Sequence, residues 1–194
     1  MHEKRFKHTE SHKLEDPERL NWLPPSEVLE HLKLAAGMYV ADIGVGTGYF
    51  AIPIAQRVLP GGKVAGVDPQ PEMLAKLKEK LVAAGAPANI ELVLGEAADT
   101  TLSDGSCDRV LMANVWHEID DRPAALQETG RILKLGGKLA ILDWRPDVQR
   151  PPGPPLEHRI SPDDARVELE QNGWGVKATI NIGTYTYLLM CEQR

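Results

Sequence analysis

The chain has 194 residues, 26% of them charged, and a formal net charge of −6 with acidic and basic residues interspersed rather than gathered into a basic stripe. That length suits one domain able to remove roughly 70% of the unfolded chain's surface from water, and the charge balance disfavours nucleic acid as partner or substrate. The longest apolar stretches are strand-sized and Met1 to Lys13 is polar and rich in His and Lys, so neither a spanning helix nor a signal peptide is expected and the sequence reads as cytoplasmic.

Taken in chain order, residues 1–25 precede the first clear helix, expected over Ser26 to Leu34 with Ser26 as its N-cap and Glu27 in its first turn. Strands are predicted near 39–43, 64–67, 90–94, 108–113, 138–143, 176–182 and 185–191. Between them, Tyr49 to Leu59 is helix-like, and Pro71 to Ala84 sets Met73, Leu74, Leu77 and Leu81 on one face. Arg122 to Leu135 carries Ala125, Leu126, Ile132 and Leu133 and is expected to stop at Gly136-Gly137. Pro146 to Pro162 holds Pro146, Pro151, Pro152, Pro154, Pro155 and Pro162, which predicts a stiff flap rather than a helix.

This alternation predicts a three-layer α/β fold, a mostly parallel sheet covered by helices on both faces, within a single domain spanning 1–194. Only Gly183 and Thr184 separate the last two strands, too little chain for a parallel crossover. The sheet should therefore be mixed at that end, with an antiparallel last strand.

The residues with most chemical content lie at the first strand's end, Val40-Ala41-Asp42-Ile43-Gly44-Val45-Gly46-Thr47-Gly48. Glycine lacks a Cβ, so Gly44, Gly46 and Gly48 permit a tight turn and let a ligand touch backbone. The spacing is GxGxG. In a dinucleotide fingerprint the next small residue falls where this chain has Tyr49, and the carboxylate of Asp42 would repel a pyrophosphate. A cationic adenosine ligand fits better, and S-adenosyl-L-methionine is the candidate. Asp68 follows the second strand, where a carboxylate can accept both hydroxyls of a ribose.

Two cysteines, Cys107 and Cys191, sit at or in apolar strand-like runs and read as buried thiols. There is no CxxC pair, and His117-Glu118-Ile119-Asp120-Asp121 fails HExxH because Asp121 stands at the second histidine position, so no metal site is expected.

Five pieces in order resemble one family: Val40 to Gly48, Val64-Ala65-Gly66-Val67-Asp68, Gly95-Glu96-Ala97, Cys107 to Asn114, and Arg131 to Gly137. The chain resembles the Rossmann-like, seven-stranded S-adenosylmethionine-dependent methyltransferases of the small-molecule type, similar to the ubiquinone/menaquinone-biosynthesis group, over roughly residues 24–194. The resemblance implies that Glu96 and Ala97 lie beside the adenine and that Asn114 meets the methionine portion. Glu96 stands where the family most often has Asp. It also implies that residues 1–25 act as a lid, with Arg19 and Trp22 as lid candidates, unless the stretch before Asp16 is disordered.

On the acceptor side, beyond the fourth and fifth strands, His117 and Asp143 are the candidate catalytic residues, His117 as a base titrating near neutrality with Glu118 beside it. Trp116 and Trp144 suggest a planar acceptor, and His158 and Arg159 on the flap are placed to meet a polar or acidic group of it. The expected function is metal-independent methyl transfer to a small molecule. The alternatives are a non-catalytic S-adenosylmethionine-binding protein and an NAD(P)-dependent reductase.

Overall fold

The computed structural model describes residues 5–86, 88–149 and 152–194, so Met1 to Lys4, Pro87, Arg150 and the expected flap's Pro151 lie outside it. The strands are β1 (Tyr39–Ile43), β2 (Lys63–Asp68), β3 (Ile90–Leu94), β4 (Cys107–Ala113), β5 (Leu133–Trp144), β6 (Trp174–Ile182) and β7 (Thr186–Gln193). They form one sheet in the order β3-β2-β1-β4-β5-β7-β6. β7 runs antiparallel to both β5 and β6, and every other pairing is parallel.

Period-2 alternation divides the buried side chains between the two faces of the sheet. Val40, Val64, Leu111 and Leu188 face one core, where α2 (Pro25–Leu32), α3 (Ala51–Arg57) and α4 (Pro71–Ala83) contribute Leu29, Ile54 and Leu77. Ala41, Val67, Met112 and Leu189 face the other, against Leu126 of α5 (Arg122–Ile132) and Leu169 of α6 (Pro162–Gln171). Both faces are covered, which is why β1 and β2 place apolar residues on both faces instead of alternating them with polar ones, Val40 and Ala41 in β1 and Val64 and Ala65 in β2.

Boundaries differ from expectation where α5 meets β5 and at the start of α2. α5 stops at Ile132, not at Gly136-Gly137, because Leu133 is already paired with Cys107 of β4. The next pair is Arg109 with Lys138, so β5 bulges between them around Gly136, whose φ is 79°. Ser26 is not the N-cap of α2: Pro24 occupies that position and Pro25 begins the helix, where its missing N–H costs nothing and its fixed φ is already helical.

Ahead of α2, a 3₁₀ segment (His8–Glu15) and the short α1 (Arg19–Trp22) are strapped to the body. Lys76 Nζ donates to the His8 carbonyl at 2.9 Å and to Ser11 Oγ at 2.5 Å, and Lys80 pairs with Glu15 at 2.7 Å. At the β6–β7 turn, Gly183 has φ 54° and its backbone presses on α1 so closely that a Cβ there would lie 1.9 Å from the Trp22 carbonyl oxygen.

Candidate functional site

The carboxyl ends of β1, β2, β4 and β5 open onto a cavity of about 1510 Å³. β2 and β4 flank β1 on opposite sides, so the cavity sits at the switch point where ligands bind in open α/β sheets. Single small-ligand sites span roughly 300–1,000 Å³. This one has room for two molecules.

Gly44 and Gly46 of the glycine turn line the cavity, whereas the expected contact Gly48 does not: its missing Cβ leaves room for Leu77 of α4. Gly44, Gly46 and Gly48 all have positive φ, and a Cβ on Gly44 would lie 2.3 Å from Val115 Cγ1. Leu14 of the 3₁₀ segment rests over Gly46. Asp68 joins the turn to the loop after β2, accepting the Gly46 and Gln70 backbone N–H groups at 2.9 Å each. Its carboxyl is pushed up chiefly by burial. Asp42, only 2% exposed, is pushed up to about 7 by burial and next by the charge of Asp68, against the opposing pull of the Ala51 N–H and Arg19.

Three buried polar atoms of cavity-lining residues have no hydrogen-bond partner among the described residues, Arg19 Nε, Thr47 Oγ1 and Asn114 Oδ1. Arg19 is 7% exposed, its guanidinium carbon lies 3.9 Å from the Tyr49 ring centre, and burial lowers it to about 10. Asn114 directly follows β4 in a left-handed conformation, φ 58°, with its N–H on the Leu142 carbonyl at 2.7 Å. A buried donor and a buried acceptor left open in one cavity fit a ligand carrying both an anionic and an ammonium group. The residues therefore suit the amino-acid end of S-adenosylmethionine, with Asp68 suiting its ribose.

At the β4–β5 side, Asp143 is fully buried behind His117 and does not reach the cavity wall. It accepts from His117 Nδ1 at 2.7 Å, from the His117 N–H at 2.9 Å and from the Trp144 N–H at 2.8 Å. His117 and Glu118 both line the cavity.

Of four other expected contact residues, Trp116 and Arg159 lie off the cavity wall, while Trp144 and Glu96 line it with partners already in place. Trp116 is wholly buried in the core beneath the sheet's other face, with Arg122 above its ring at 5.7 Å, and is not an acceptor surface. Trp144 does line the cavity, but it is 6% exposed, packed on Trp22 at 5.4 Å and against the Gly153 backbone, so it offers no free face for stacking. Arg159 is spent on flap carbonyls, those of Pro154, Arg145 and Val148, and only His158 of that pair lines the cavity. Glu96 lines the cavity with Ala97, yet its carboxylate is bound by Arg5 at 3.2 and 2.9 Å.

Gln70 went unnoticed in the sequence. It takes the Phe6 carbonyl through Nε2 at 2.9 Å and the His8 N–H through Oε1 at 3.1 Å, holding the N-terminal strap across the cavity. Its position between Asp68 and the start of α4 was the available signal. Among the described residues, no three His, Cys, Asp or Glu side chains are grouped to hold a metal ion, and both cysteines are buried.

The family model described as a methyltransferase domain matches residues 41–141. An uncharacterized methyltransferase of Mycobacterium bovis is 39% identical over 135 residues, 69% of this chain and 47% of its own length. A demethylmenaquinone methyltransferase of Listeria monocytogenes is 32% identical over 60% of this chain and 49% of its own. An arsenite methyltransferase of Halobacterium salinarum is 36% identical over 57% of this chain and 28% of its own. The chain thus spans at most about half the length of these curated relatives. The crystal structure of a SAM-dependent methyltransferase from Aquifex aeolicus superposes with a TM-score of 0.91 at 32% identity, covering 96% of this chain and 98% of that one. With the glycine turn, the β1–β4 switch point and the inserted β7 in place, the chain belongs to the Rossmann-like S-adenosylmethionine-dependent methyltransferases.

Proposed function

We propose that the protein transfers a methyl group from S-adenosyl-L-methionine to a small, flat, largely apolar acceptor in the cytoplasm, without a metal. The observation that carries this reading is the pair of open atoms, Arg19 Nε and Asn114 Oδ1, in a cavity that also presents Asp42 and Asp68. Arg19 would hold the carboxylate of the cofactor, Asn114 its ammonium, and Asp68 its ribose, with Gly44 and Gly46 letting the ligand lie on backbone. Ala97 would wall the adenine, and Asp42 would favour the positive end of the ligand. Glu96 would have to leave Arg5 to reach the adenine amine.

When bound, the cofactor supplies a methyl group on a positively charged sulfur, ready for in-line displacement. The chain's part is positioning, since reacting atoms must be held about 3–3.5 Å apart. Trp22, Tyr49 and the edge of Trp144 give the acceptor an apolar wall, and His158 a polar contact. The name of the Listeria relative points to a quinone-like ring. Arsenite, named for the Halobacterium relative, is less well served, because burial pushes the Cys191 thiol up to about 12 and Cys107 is also raised. Two free thiols suit a reducing compartment.

Calorimetry with S-adenosylmethionine, its demethylated product and NAD(P)H tests the cofactor, and methyl-labelled cofactor with the small-molecule fraction of a cell extract tests transfer. Micromolar binding of the first two is expected, none of NAD(P)H, and at least about a tenfold loss in Asp68→Ala. Binding without any labelled small molecule would leave a cofactor-binding protein, and NAD(P)H binding would return the reductase.

A further inference from the structure

Glu118 follows Asn114 on the loop that leaves β4. It closes the 3₁₀ turn Trp116–Glu118 after β4, lines the cavity, and has a side chain 16% exposed. Its Oε1 is 3.7 Å from His117 Nε2, and the Phe6 backbone N–H of the N-terminal strap donates to its carboxylate. The charged groups facing it are His117 from its own turn, Asp143 from β5 and Arg5 from the strap. Burial outweighs them and pushes its carboxyl up to about 7; His117, the Phe6 amide and Arg5 pull it down, while Asp143 pushes with burial.

We propose that Glu118 is the catalytic base that takes the acceptor's proton, and that the acceptor accordingly attacks through an O–H or N–H group. The inference rests on the methyl-transfer reading above. As the acceptor's oxygen or nitrogen forms its bond to the methyl carbon, the methyl–sulfur pair remains on sulfur, leaving a neutral thioether. The acceptor's O–H or N–H pair remains on the nucleophile, and the proton passes to a Glu118 oxygen. His117 is then a positioning residue. Its Nδ1 lies 2.7 Å from Asp143 Oδ1, which fixes the ring with its Nε2 edge toward Glu118. Compounds that attack through an atom bearing no proton need no such group.

The test compares wild type, Glu118→Gln and His117→Asn. Gln keeps an oxygen for the Phe6 N–H, so the strap stays docked, and unchanged trypsin cleavage at Lys7 and Lys13 with unchanged affinity for the demethylated cofactor would verify it. With methyl-labelled cofactor and an extract's small-molecule fraction, from about pH 5.5 to about 9, wild-type transfer should fall on the acid side as Glu118 protonates. Glu118→Gln should lower the rate about 10²–10⁴-fold and abolish that acid limb, whereas His117→Asn should displace the limb and keep it. A Glu118→Gln rate within about threefold of wild type with the same limb would overturn the assignment. Independently of any acceptor, carbon-13 NMR of the complex with the demethylated cofactor should show the Glu118 carboxyl titrating within about one unit of 7, and a midpoint in the ordinary range near 4 overturns it. Failure of wild type to bind that product would instead remove the cofactor reading.

Discussion

His117 and Asp143 share a 2.7 Å hydrogen bond through Nδ1 and Oδ1, and the same carboxylate also receives the backbone N–H groups of His117 and Trp144. One buried side chain thus fixes both the imidazole and the backbone that carries it. In Asp143→Asn, the new amide N–H₂ must face a donor that needs an acceptor. We expect a loss of about 1–3 kcal/mol in urea unfolding, with labelled-methyl transfer reduced and affinity for the demethylated cofactor retained. Equal stability and equal transfer would show that the pair orients nothing.

Arg19 supplies a buried charge with an open Nε, so its removal should separate binding from stability. Arg19→Met keeps the apolar packing on Tyr49 and removes a desolvated charge, and its thermal midpoint should not fall. A charge-assisted hydrogen bond is worth about 1.5–3 kcal/mol, so affinity for the demethylated cofactor should drop at least about tenfold. Methylthioadenosine, which lacks the carboxylate, should bind wild type and variant alike. Equal losses for both ligands would mean that Arg19 shapes the cavity without reading a carboxylate.

Asp42 sets a pH dependence whose sign follows from its direction of shift. Its folded value of about 7 lies above the ordinary 3.8, so the native state keeps a proton that the unfolded chain has lost. The resulting stability is present below about pH 4 and is lost as pH rises to about 7. Asp68 and Glu118 are shifted in the same direction. Ligand-free protein should therefore melt at a lower temperature at about pH 7.5 than at about pH 5, and Asp42→Asn should flatten the slope. A slope identical to wild type would place the titration elsewhere.

Gly183 is a mechanical link between the last hairpin and the cavity. Its φ of 54° and the 1.9 Å approach to the Trp22 carbonyl leave no room for a methyl group. Gly183→Ala should cost more than about 1 kcal/mol in urea unfolding. It should also weaken binding of the demethylated cofactor, because the displaced helix α1 carries Arg19. A variant that loses stability without losing affinity would uncouple α1 from the ligand.

Much of the fold is legible in the sequence because periodicity and turn chemistry agree. Val40, Ala41 and Ile43 are apolar for the reason that both faces of β1 are covered, and the short gap at Gly183 leaves only a hairpin. The start of β5 was hidden because Gly136 serves a bulge as readily as a helix end, and only pairing with Cys107 decides between them. The site is legible on the β1 and β2 side, where side chains follow directly from strand ends. Beyond β4 it is not. Trp116 and His117 are neighbours in sequence and turn to opposite fates, one into the core and one onto the cavity wall, and nothing in one dimension says which. Arg159 likewise carries a charge that suits a substrate, but its reach to three carbonyls exists only in the folded flap.

The position of β7 has a bearing on biogenesis. It is made after β6 yet lies between β5 and β6, with Ile141 opposite Leu189 and Ile180 opposite Leu188. Until residues 186–193 leave the ribosome, β5 presents an unpaired edge of apolar strand, and β6 has nothing in the sheet to join. Such edges are templates for another nascent chain. A truncation within this one strand would expose two edges at once, so its first symptom should be insolubility during synthesis rather than a selective loss of methyl transfer.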